Sequence, residues 1–207
     1  MKTLLTALVG GGAVASAGVG YFTYQKFFSE NISSRLRSEK FIPLNDSKEH
    51  DAYWETLKTQ YNSQKANKGK IFTDGSKDIE TRELKLECKK ALAGNIKDDA
   101  LYSKVKRWCV VPVSLSEHLN KLNFHSFSTE DKTDNADKSK WESKVTEYEK
   151  EGNREKRISG LDTLSTDKWK TIMNKCKEIG GKKNYEDEFE TNFEKYKEWC
   201  STEKKTN

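Results

Sequence analysis

One eight-residue pattern occurs twice in this chain and ties its two halves to a common plan. Trp54-Glu55-Thr56-Leu57-Lys58-Thr59-Gln60-Tyr61 returns 87 residues later as Trp141-Glu142-Ser143-Lys144-Val145-Thr146-Glu147-Tyr148. Each copy is followed by a lone cysteine, Cys88 and then Cys176, offset by 88. Each half closes on a Trp-Cys pair, Trp108-Cys109 and Trp199-Cys200, offset by 91. Rings and thiols that recur in one order at nearly one interval mark a duplicated structural unit.

The local pattern is helical. Only two prolines interrupt 207 residues, so long runs stay free for helix. Aromatic residues make up 11% of the chain, too many for a disordered one. Trp54, Leu57 and Tyr61 fall at i, i+3, i+7 on one stripe, after Asp46 or Ser47 as a helix cap. Leu84, Cys88, Ala91 and Leu92 predict a second helix over about 77–93, ending near Gly94-Asn95. A third, from near Asp98, carries Leu101, Tyr102, Val105 and Trp108 and is stopped by Pro112. Ser114-Leu115-Ser116-Glu117 reads as a capping box. In the second half, Trp141, Val145 and Tyr148 form the first stripe. Trp169, Ile172, Met173, Cys176 and Ile179 form the next, stopped at Gly180-Gly181. Phe189, Phe193, Tyr196 and Cys200 form the last. Outside Val110–Val113 nothing reads as strand. The fold class expected is therefore all-α: an N-terminal transmembrane helix, then two tandem helical modules related by internal duplication. The expected divisions are 1–28 as anchor or signal segment, 29–47 as connector, 48–127 as the first repeat, 128–140 as a polar linker and 141–207 as the second repeat.

The anchor expectation rests on residues 3–25, which carry no charged side chain. As a helix they span about 34 Å, against a bilayer core of about 30 Å. Tyr21, Phe22 and Tyr24 sit where an interfacial belt would lie, just before Lys26. Gly12, Ser16 and Gly20 recur four apart, a spacing that lets membrane helices approach. A cleaved signal peptide, with Ala15-Ser16-Ala17 at its processing site, is the alternative. Orientation is contested. Lys26, Arg35, Arg37 and Lys40 follow the segment and only Lys2 precedes it, which by the positive-inside rule puts the body in the cytoplasm. Paired cysteines and a signal-like start favour the outside, and that is the expectation taken here: a single-pass cell-membrane protein with an extracellular body.

The four cysteines lie two to a half on consecutive helices, so bonds Cys88–Cys109 and Cys176–Cys200 would each pin a helical hairpin. With about 22 residues in each loop, such a bond stabilises by about 3 kcal/mol. Four cysteines permit three pairings, and four buried free thiols packed among the rings are the alternative. Without Cys-x-x-Cys there is no pattern for zinc or redox catalysis. Trp54, Tyr61, Trp108, Trp141, Tyr148 and Trp199 share stripes with aliphatic residues, so core packing is expected of them; a ligand-stacking platform would need them exposed. His50, His118 and His125 are isolated and expected at the surface or at helix ends. No serine has a histidine partner at a known spacing, and no phosphate loop or HExxH is present. No catalytic, cofactor-binding or metal residue is assigned, and no cofactor or small-molecule substrate is expected. Removing Lys2 and Lys26 from the count leaves 36 basic against 33 acidic residues, a mixed-sign surface without a preference for nucleic acid.

A small-residue-rich apolar start, then W-x6-Y, C…WC with a proline after it, and a second W-x6-Y and C…WC resembles a family of short paralogous proteins of haemotropic mycoplasmas, wall-less bacteria that live on red blood cells. The resemblance covers nearly the whole chain, and its most distinctive piece is Trp108-Cys109-Val110-Val111-Pro112-Val113-Ser114-Leu115. It implies a membrane-anchored, surface-displayed protein expanded for antigenic variation, and it lends no catalytic residue. The function expected is a non-enzymatic surface protein whose partners are the membrane and host surface proteins. An intracellular membrane-tethered scaffold or binding module is the rival class, and an enzyme built from scattered carboxylates or cysteines a third.

Overall fold

Asn31 starts the first helix by a reciprocal cap: its side chain accepts the Ser34 amide at 3.0 Å and Ser34 Oγ accepts the Asn31 amide at 3.1 Å. The computed structural model describes residues 31–204, so the expected membrane segment lies outside them. Helix α1 (Ile32–Ser38) buries only Ile32 and Leu36 and gives way to Lys40 in the left-handed region (φ 65°). An extended stretch through Pro43 then bridges to Val110. A short 3-10 turn (Lys48–His50) leads into α2 (Asp51–Ser63), which buries Trp54, Leu57 and Tyr61. After a long loop come α3 (Thr81–Leu92) and α4 (Asp99–Trp108).

The remaining elements run in the same order. Helix α5 (Leu115–Lys121) opens on a capping box between Ser114 and Glu117. Strand β1 (Phe124–Ser126), α6 (Lys138–Tyr148), a 3-10 turn (Glu151–Lys156), α7 (Lys168–Gly180), α8 (Asp187–Cys200) and β2 (Ser201–Glu203) follow. The two strands pair antiparallel, with Phe124 opposite Glu203 and Ser126 opposite Ser201. The body is thus mostly helical with one small sheet, and both strands lie outside the one stretch with strand character in the sequence. Among the described residues no helix is long and apolar enough to cross a membrane.

Specific contacts recur between the halves. Ile32 N–H donates to Gly94 O, and Leu115 N–H donates to Lys182 O. Leu44 N–H donates to Cys109 O at 2.9 Å, and Phe127 N–H donates to Cys200 O at 2.9 Å. The Pro43–Val110 bridge stands where Ser126 pairs with Ser201. Lys40 matches Asn123, which also has positive φ (68°).

The recurring contacts fall on other bounds than the divisions read from sequence. They begin at Asn31 and Ser114, 83 residues apart, so that α5 goes with the second set of contacts rather than the first. The stretch read as connector contains α1. The stretch read as linker contains Asn135 and Asp137, both buried, and the described residues form one compact unit. The physical reason is length. A seven-residue helix with two inward residues has no periodicity to detect, and four extra residues before α6 shift the interval from 83 to 87.

Candidate functional site

The rings and cysteines singled out by sequence are brought together in two matching clusters. All six rings are at most 2% exposed and all four cysteines at most 1%. Cys88 is bonded to Cys109 and Cys176 to Cys200. The Tyr61 ring meets Trp108 edge-on at 5.1 Å, as Tyr148 meets Trp199 at 4.7 Å. Burial of rings with polar tips requires partners for those tips, and each tip fastens a loop. Trp54 Nε1 donates to Asn45 O at 2.9 Å and Trp141 Nε1 to Ser128 O at 3.0 Å. Trp108 Nε1 donates to Lys70 O at 2.6 Å and Trp199 Nε1 to Lys156 O at 2.7 Å. The Tyr61 hydroxyl accepts from the Phe72 and Thr73 amides. The Tyr148 hydroxyl accepts from Ile158 N–H at 3.0 Å and donates to Leu161 O at 2.7 Å, and burial pushes its pKa up. So placed, the rings hold loops and offer no stacking face to solvent. Tyr148→Phe strands the Ile158 amide and Leu161 carbonyl, and urea melts should show a loss of about 1–2 kcal/mol.

The histidines depart from the sequence expectation. His125 is half-exposed, but His50 and His118 are buried. His50 Nδ1 accepts the Asn45 amide at 3.1 Å, the place that Asp137 Oδ2 fills for Ser128 at 2.7 Å. His118 stacks on Phe41 at 4.0 Å, with Phe189 and Phe193 beside it. It therefore sits at the seam between the two sets of elements. Its Nδ1 is buried without a hydrogen-bond partner. Burial, helped by Lys121 and Lys106, pushes its pKa down to about 4.

Asn184 forms the polar part of the same seam. Its Oδ1 accepts Val113 N–H at 2.9 Å, its Nδ2 donates to Lys106 O at 2.8 Å, and its own amide donates to Val113 O. Lys70 and Arg107 both pair with Asp187, and Lys106 pairs with Glu190. Asn184→Ala leaves the buried Val113 amide unsatisfied, and chemical melts should register a loss of about 2 kcal/mol. Neither Asn184 nor His118 carried a signal in the sequence, because a single polar residue near a turn is the commonest thing there.

Among the described residues no group of three or more His, Cys, Asp or Glu side chains is placed to hold a metal ion. A cleft of about 390 Å³ opens beside Trp54, floored by Leu44, Trp54 and Leu92 and edged by Lys85 and Lys89. A hollow of about 540 Å³ lies along the loop before α3, among Asp74, Asp78, Glu83 and Glu87. The capping carboxylate Glu117 is held down to about 2 by the Ser114 amide and hydroxyl, a helix-start arrangement rather than a reactive one. Searches of family models, curated proteins and solved structures returned no match to the chain.

Proposed function

We propose that the chain is a non-enzymatic, membrane-anchored protein with two copies of one duplicated helical unit standing outside the cell. The observation that carries this reading is the pair of bridges at corresponding places in the two halves. Bridges of this kind persist in oxidising surroundings and are rare where glutathione keeps thiols reduced. The recurrence of cap, left-handed residue, loop fastenings and bridge supports duplication, because unrelated segments would not repeat the same backbone bonds. A mixed-charge exterior on so firmly stapled a frame suits a protein that contacts host surface molecules. The resemblance to the haemotropic-mycoplasma proteins adds a role in varying what the host sees.

The second reading, an intracellular membrane-tethered scaffold, is favoured by Lys26, Arg35, Arg37 and Lys40 after the apolar segment. Arg35 is already occupied in the fold, pairing with Glu39 and Asp99 and lying over the Tyr102 ring. Trypsin shaving of intact cells separates the two. The outward reading expects the body to be lost while a cytosolic marker survives. A body that stays whole until the membrane is opened removes that reading.

A further inference from the structure

The two halves differ at the place beside the first tryptophan of each, which is a cleft in the first half. In the second half that place is filled by the chain itself. Trp141 lies thirteen positions after Ser128, against nine from Asn45 to Trp54, and the longer loop folds down onto α7. Asn135, buried there, donates its carboxamide to Ser128 O at 3.1 Å and Glu130 O at 2.6 Å and touches Met173 Sδ at 3.6 Å. Asp131 pairs with Lys170 on the same helix at 3.0 Å. Met173 is wholly buried beneath this plug.

In the first half the plug is missing and the seat remains. Asn45 O accepts the Trp54 indole, as Ser128 O accepts that of Trp141. Among the described residues it has no second donor corresponding to Asn135, although a carbonyl oxygen accepts two. Leu44, Trp54 and Leu92 line the cleft there, Leu92 half-buried and the other two buried behind it. On α3, Arg82, Lys85 and Lys89 occupy the positions of Lys170, Met173 and Lys177 and make one basic row at helical spacing. Lys85 is partly balanced by Asp46 at 3.6 Å and Asp51 at 3.5 Å. Arg82 and Lys89 are exposed.

We propose that this cleft is a binding site for an acidic peptide segment of another protein, one that presents a side-chain carboxamide to Asn45 O. The occupant is specified by what the chain uses to fill the matching place: residues 128–137, Ser-Thr-Glu-Asp-Lys-Thr-Asp-Asn-Ala-Asp, carry four acids against one lysine. Acids on such a segment complement the basic row, and its amide supplies the missing donor. This inference stands on the internal comparison and holds whichever side of the membrane the body occupies.

The test titrates a fluorescein-labelled peptide of residues 128–137 with the full chain in detergent micelles and reads fluorescence polarisation. Saturable binding is expected, weakened about tenfold when the peptide asparagine becomes alanine, and weakened by added salt. Ala93→Arg, at an exposed position on the cleft edge, should abolish it. Gly181→Arg, at the matching position beside the filled place, should leave it intact. A chain with residues 46–49 replaced by the sequence of 129–136, together with Lys85→Met, carries its own plug. It is expected to lose the peptide while melting at a higher temperature. Binding that survives Ala93→Arg, or no saturable binding to a wild-type chain with a native melt, overturns the assignment. Self-association that Ala93→Arg removes without any peptide binding overturns it too, by putting a second copy of the chain in the cleft.

Discussion

Opening both bridges with a phosphine reductant is expected to lower the urea midpoint of the body by about 3 M. Each bond closes a loop of similar length, since the sequence separations are 21 and 24, and the chain-entropy account gives about 3 kcal/mol apiece. Together they amount to about 6 kcal/mol, against a total of about 5–15 kcal/mol for a domain. With a urea slope near 2 kcal/mol/M, each bridge shifts the midpoint by about 1.5 M. Replacing Cys88 and Cys109 together by alanine should therefore cost about as much as replacing Cys176 and Cys200. The seam through Asn184 and Asp187 joins the halves, so a single transition is expected in each variant. Midpoints that do not move under reductant, with free thiols confirmed by alkylation, would show that the bonds constrain nothing in the unfolded chain.

What the sequence disclosed was what its largest residues carried. Trp54, Tyr61, Trp108 and their partners could be paired across the halves because rings and cysteines are rare and sit at fixed places on their helices. Loops change length cheaply, and the matching interval accordingly drifts from 83 at Asn31 and Ser114 to 91 at the last Trp-Cys pair. The drift hid the match between α1 and α5, whose inward residues are only Ile32 and Leu36 and then Leu115 and Leu119. It also disguised substitutions that preserve a position while changing its chemistry. Lys144 stands where Leu57 is wholly buried; its amine reaches the Glu198 carbonyl and burial lowers its pKa. Similarly, an added Cβ at Gly180 would meet the Tyr196 ring at 2.6 Å, whereas the matching positions hold Leu92 and Val105. Such exchanges of bulk and charge are settled by packing in three dimensions and leave no period in the chain.

The seam histidine follows from the same internal comparison. Position 118 matches position 35, where an arginine spreads over the Tyr102 ring and reaches Asp99. At 118 the corresponding space is closed by Phe41 from the other half, and burial there penalises a charge. Lys106 and Lys121 oppose the proton further, and the imidazole stays neutral down to about pH 4, compared with an ordinary value of 6.5. The sign follows from linkage. Above pH 6.5 neither the folded nor the unfolded chain carries this proton, and stability is at its full value. As pH falls below 6.5 the unfolded chain takes it up while the folded chain does not. Stability then declines until the folded form is also protonated near pH 4, a loss of about 3 kcal/mol in all. The Glu117 cap fades lower, from the ordinary value of 4.5 down to about 2, so the two windows overlap only between about pH 4.5 and about 4. His118→Phe, which places a fourth phenyl ring among Phe41, Phe189 and Phe193, should flatten the decline between pH 6.5 and 4 and leave the steeper fall at lower pH in place. Urea melts of wild type and variant across that range decide the matter, because a parallel decline in both would assign it to groups other than His118.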